Sequence, residues 1–157
     1  MPLDVPVDEA ITDDVVTLLE DELTDLEIIR QTNQVDEWTP KNDQVVIVRH
    51  ALERLPEIDC PGNPPAIGYE MILHLRLHVM QSEHDTEPLD KLMSILAADV
   101  QAALTQDSGW YHWDGKAIDS EFGSFERIST DTGFAAALLP LRVRYRVSEN
   151  NPYESRL

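Results

Sequence analysis

The chain has 157 residues, enough for one domain with its own core, and 42% of them are hydrophobic, which excludes wholesale disorder. Thirty acidic residues stand against twelve basic ones, a formal net charge of −18, which argues against binding a phosphate backbone through clustered cations. A single cysteine, Cys60, excludes an internal disulfide and suits a reducing compartment.

Residues 1–7, with Pro2 and Pro6, read as a flexible acidic arm. They show no basic region followed by an apolar one, so no secretory signal is expected. Residues 1–27 hold ten Asp or Glu and no Lys or Arg. A helix is predicted over residues 8–23, because Val7, Ile11, Val15, Leu18, Leu19 and Leu23 recur at steps of three and four. Asp8, Glu9, Asp13 and Asp14 suit the positive end of its dipole. A short strand follows at residues 26–32, a loop at 36–44, and a second strand at 44–53 that begins with Val45, Val46, Ile47 and Val48. Four prolines and a Pro-Gly pair make residues 55–65 a turn-rich connection.

Residues 67–80 give the clearest strand. Ile67, Tyr69, Met71, Leu73, Leu75, Leu77 and Val79 alternate strictly with polar positions that include Glu70, His74, Arg76 and His78. A second helix is predicted over residues 87–106, with Thr86 as cap, Pro88 in the first turn and Gly109 near its end. Leu89, Leu92, Met93, Leu96, Val100, Ala103 and Leu104 form its apolar stripe.

The aromatic group Trp110, Tyr111 and Trp113 falls in a loop, and reads either as a satellite core or as a protein contact. A hairpin follows: a strand near residues 118–128, a turn at 129–133 and a long strand at 134–147. On that last strand Leu139, Leu141, Val143, Tyr145 and Val147 face one way and Arg142, Arg144 and Arg146 the other. The polar tail, residues 150–157, is expected to fray as a flexible tail. The longest apolar run, residues 134–141, is too short to span a bilayer, so no membrane association is expected.

The element order predicts a single α+β domain over residues 1–157, with a mostly antiparallel β-sheet and two α-helices packed on one face. The other face carries charge and meets either water or another subunit.

No catalytic, cofactor or metal site is expected. His74 and His78 lie four residues apart on a strand, about 13 Å, too far to share one ion with His84. Cys60 has no neighbour in sequence that would lower its pKa, and no serine lies in a G-x-S-x-G context. The six glycines form no phosphate-binding loop, so no nucleotide cofactor is implied. These absences point away from an enzyme. Three arginines on one strand face repel one another, so they need carboxylates on neighbouring strands, such as Glu70 or Glu126, or the acidic surface of a partner. The expected subunit or partner interface is Arg142, Arg144, Arg146, Arg76, Trp110 and Trp113.

This order, an amphipathic helix, a hairpin, the helix TEPLDKLMSILAADVQAAL and a closing hairpin ending TDTGFAAALLPLRVRYRV, resembles the tail terminator proteins of long-tailed bacteriophages, the lambda minor tail protein U-like family. The likeness spans residues 10–148 and rests on residues 89–104, 131–133 and 139–147. The proline-rich segment 55–65 and the acidic N-terminus lie outside the family's minimal pattern. The resemblance implies a structural virion protein, assembled in the host cytoplasm, that forms a hexameric ring at the tail–neck junction. Such a ring caps the tail tube, ends its polymerisation and meets the tube protein and the neck or connector protein. The genome DNA passes through it without specific binding. An alternative follows from charge alone: an acidic DNA mimic that blocks a nucleic-acid-binding partner.

Overall fold

The computed structural model describes residues 2–30, 44–53, 57–60, 64–81, 87–131 and 133–156. It is an α+β fold in which two helices pack on one face of a mostly antiparallel sheet.

The first helix, α1, spans Val7–Glu22. Val7, Ile11, Val15 and Leu19, one per turn, are fully buried, which is what a period of 3.6 residues requires of a helix with one face inward. Pro6 occupies its N-cap without a side-chain cap, and Asp8 and Glu9 fill the first turn, where the dipole favours negative charge. The second helix, α2, spans Leu89–Leu104 and buries Met93, Leu96, Val100, Ala103 and Leu104. Pro88 is its N-cap residue, one position earlier than expected, and Thr86 lies outside the described residues.

The strands are β1 (Glu27–Arg30), β2 (Gln44–Glu53), β3 (Glu57–Cys60), β4 (Ala66–Met80), β5 (Asp119–Phe122), β6 (Glu126–Asp131), β7 (Phe134–Ser148) and β8 (Asn151–Ser155). The sheet runs β1-β2-β4-β7-β5, with β3 also beside β4, and β6 and β8 also beside β7. Only β1 and β2 pair in parallel. The frame is therefore three long strands, β2, β4 and β7, whose outer sides are closed by short pieces. Short edge pieces present few free backbone groups to another sheet.

β4 and β7 pair along their whole lengths, from Ala66 opposite Ser148 to Met80 opposite Phe134. Their odd-numbered residues from Met71 to Val79 and from Leu139 to Val147 are buried beneath the helices, together with Val46 and Val48 of β2. Tyr69 and Tyr145 are direct cross-strand partners, and their rings stack with centroids 5.4 Å apart.

Several elements differ from the sequence-based expectation. The connection over 55–65 contains β3, whose backbone pairs with Ala66–Gly68. The expected strand near 118–128 is two strands, β5 and β6, parted at Gly123. Pro140 of β7 explains the break: its carbonyl accepts from the Gly123 amide at 2.8 Å, so its missing N–H faces the gap and spares the β4–β7 ladder. The turn before β7 is tighter than residues 129–133, since Asp131 already pairs with Phe134, and Gly133 takes φ 77°. The tail expected to be flexible forms β8 against Val147 and Ser148. Nor is the start of the chain a free arm: the Leu3 amide donates to the Tyr153 carbonyl at 2.7 Å, and Val7 is buried.

Candidate functional site

Alternation along β7 sends Arg142, Arg144 and Arg146 to the face away from the helices, because Leu141, Val143, Tyr145 and Val147 between them are buried. Arg142 and Arg144 are exposed and Arg146 is half-buried. Arg144 is in register with Glu70 on one side and Asp119 on the other, and Arg142 with Ile72 and Glu121. Glu126, the other expected neighbour, lies opposite Leu138 instead. Among the described residues, neither Arg142 nor Arg144 forms an ion pair. Arg76 shares this face but stands opposite Leu138, four positions or about 13 Å from the Arg142 row.

Trp110 and Trp113 do not join the arginines; they lie on the other side of the sheet. Trp113 is buried and its Nε1–H donates to Ser120 Oγ at 2.9 Å, while Ser120 Oγ donates to the Tyr111 carbonyl at 3.0 Å. Ser120 opposes the buried Val143, which fixes the side. Trp113, Asp114 and Gly115 take φ values of 47°, 55° and 77° in succession, a left-handed reversal that folds the indole under the chain. Trp110 opens a 3₁₀ turn, Trp110–His112, and stacks on Phe122 at 5.5 Å with 20° between the rings. The expected interface set thus separates into a charged row on one face and an aromatic cluster, part satellite core, on the other.

The aromatic cluster lines a feature that the linear sequence does not reveal. A cleft of about 330 Å³ opens where α1 and α2 meet this cluster, walled by Leu18, Ala103, Leu104, Trp110 and Trp113. Its mouth carries Asp14, Asp107 and Asp114. Lys116 Nζ reaches Asp14 at 2.8 Å and Asp114 at 3.9 Å, and Asp107 Oδ1 accepts from the Gly109 amide. Neither helix has a basic residue in its last turn.

The histidines sit as the strand reading requires, with His74 opposite Pro140 and His78 opposite Ala136, while His84 lies outside the described residues. His78 is buried beside Phe134, ring centroids 5.6 Å apart, rather than facing solvent. Burial, and secondarily the positive charge of Arg76, hold its pKa below the ordinary 6.5. A different group, Asp8, Glu9 and His50, brings three ligand-type atoms within 4.8 Å of one another. Arg30 already engages both Glu9 oxygens at 3.1 Å, and Asp8 lies 3.9 Å from His50 Nδ1, so the group is tied into ion pairing. Cys60 falls on β3, in register with Ala66.

No protein-family model and no curated protein matches this sequence. Among the described residues, no helix is long and apolar enough to cross a membrane.

Proposed function

We propose that this chain is a structural assembly protein, a tail-terminator-like subunit that forms a ring on the end of a phage tail tube and joins it to the neck. One observation carries the reading furthest. The sheet is backed by helices on one face only, and the other face presents Arg142 and Arg144 exposed and without ion pairs among the described residues. A second copy or a neighbouring shell component is the natural cover for such a face. The element order supports the same reading: an amphipathic helix, a central hairpin-like pair, a second helix and a closing hairpin with Gly133 at positive φ.

The charge is consistent with that role. Copies arranged in a ring would each contribute −18, and a channel wall of that sign repels DNA phosphates instead of retaining them. The short edge strands also suit a subunit that meets its neighbours through side chains rather than by extending its sheet.

Negative-stain imaging of the purified chain, alone and mixed with tail tubes, tests the reading. Rings with a central hole, free or on tube ends, are the expected result. A monomer that ignores tubes, yet binds a basic nucleic-acid enzyme with strongly salt-dependent affinity, replaces this reading with the DNA-mimic one.

A further inference from the structure

The few basic residues of this chain are mostly engaged. Among the described residues, Arg30 is paired with Glu9, Lys91 with Glu87 and Lys116 with Asp14, while Arg127 donates to Ser94 Oγ and Arg156 to Ser148 Oγ. Arg142 and Arg144 stand apart, adjacent on one strand face, exposed and in no ion pair. Two copies at −18 each repel one another at long range. In physiological salt that repulsion is screened beyond roughly 8 Å, so contact between copies depends on local patches of opposite sign. The arginine row is such a patch, and its complement must be acidic and shaped to hold a guanidinium.

The cleft between the helices and Trp110 has both properties. Three carboxylates at its mouth exceed the one ammonium, Lys116, beside them. The C-terminal ends of α1 and α2 have no basic residue in their last turns to offset their partial negative charge, and the cleft lies against the end of α2 at Ala103 and Leu104. Its walls are apolar and include the indoles of Trp110 and Trp113, the aromatic surface a guanidinium favours most.

We propose that this cleft is the receiving half of a head-to-tail contact between copies of the chain, and that the Arg142–Arg144 row of the next copy is its occupant. The proposal rests on the self-assembly reading above and gives it a direction. Because the row and the cleft lie on opposite sides of the sheet, one copy cannot fill its own cleft. A two-fold dimer also cannot satisfy both halves at once. Each copy offers one donor and one acceptor surface, the heterologous arrangement that closes into a ring or runs on as a filament.

A mixing experiment tests it. One variant carries Asp107→Lys and Asp114→Lys, which closes the cleft to cations; the other carries Arg142→Glu and Arg144→Glu. Each alone retains one half of the contact, has no complement, and is expected to sediment as a monomer, with self-affinity lowered roughly a hundredfold or more. Mixed in equal amounts they are expected to form a one-to-one heterodimer that grows no further, since one intact row meets one intact cleft. An Asp107→Asn, Asp114→Asn variant keeps acceptor oxygens for the local turn, and serves the same comparison if the lysine pair misfolds. If the wild type assembles but the variants also assemble, or their mixture stays monomeric, the head-to-tail assignment is overturned and self-assembly stands. If the wild type remains a monomer at high concentration, the assembly reading itself falls, and this inference with it.

Discussion

Leu75 and Arg76 are neighbours in the chain, yet one is fully buried under two helices and the other stands half-buried on the reverse of the same sheet. The same division runs along β7, where Leu141 and Val143 enclose Arg142. One face is a closed core whose residues contribute stability. The other, at its Arg142–Arg144 end, contributes little to stability and carries the charge that a neighbour can recognise. Substitutions on the two faces should therefore separate folding from assembly.

The largest effect belongs to the closed face. Leu75→Ala should lower unfolding free energy by about 2–5 kcal/mol, the range for emptying a packed core site, and urea titration reads it directly. Ser120→Ala comes next. It leaves the buried Trp113 Nε1–H without its acceptor and should cost about 1–3 kcal/mol, visible as a lower denaturation midpoint and a changed tryptophan emission.

His78 should give a smaller, pH-dependent effect. Its folded pKa lies below 6.5, so the unfolded chain takes up this proton first as pH falls. Its contribution is thus fully present above 6.5 and is lost as pH drops toward the folded pKa. His78→Gln should flatten the stability profile between about pH 7 and 5.5; a slope unchanged by the substitution would remove His78 from the account.

The smallest effect on stability falls on the open face. Arg144→Ala should shift unfolding free energy by no more than about 0.5 kcal/mol, because an exposed side chain without an ion pair loses little on truncation. A loss of several kcal/mol there would mean that the open face belongs to the fold and would blur the division on which the comparison rests.

The long strands were legible because each carries its own signal. Fifteen residues of alternation over β4 and over β7 specify both the strand and the face that turns inward. The short strands carry no such signal. β3 and β8 are four or five residues long in proline-containing, polar surroundings, and they exist because β4 and β7 offer them unpaired edges. Pro152 is tolerated in β8 because that strand lies at an edge.

The candidate site divides in the same way. The arginine row follows from alternation alone, and its neighbour Glu70 was within reach of the same reasoning. The side on which Trp110 and Trp113 lie was not, since it depends on the pairing of Ser120 with Val143 and on three successive left-handed residues. The cleft was hidden for a related reason: Asp14, Ala103 and Trp110 are brought together only by the packing of the helices.

The central claim is that the open face serves copies of the chain itself. Absolute molar mass by light scattering, at matched concentrations of wild type and the Arg142→Glu, Arg144→Glu variant, tests it most directly. A wild-type mass several times 17.8 kDa beside a folded variant at 17.8 kDa is the predicted result. A wild type that stays at 17.8 kDa at every concentration, or a variant that assembles just as well, would contradict it.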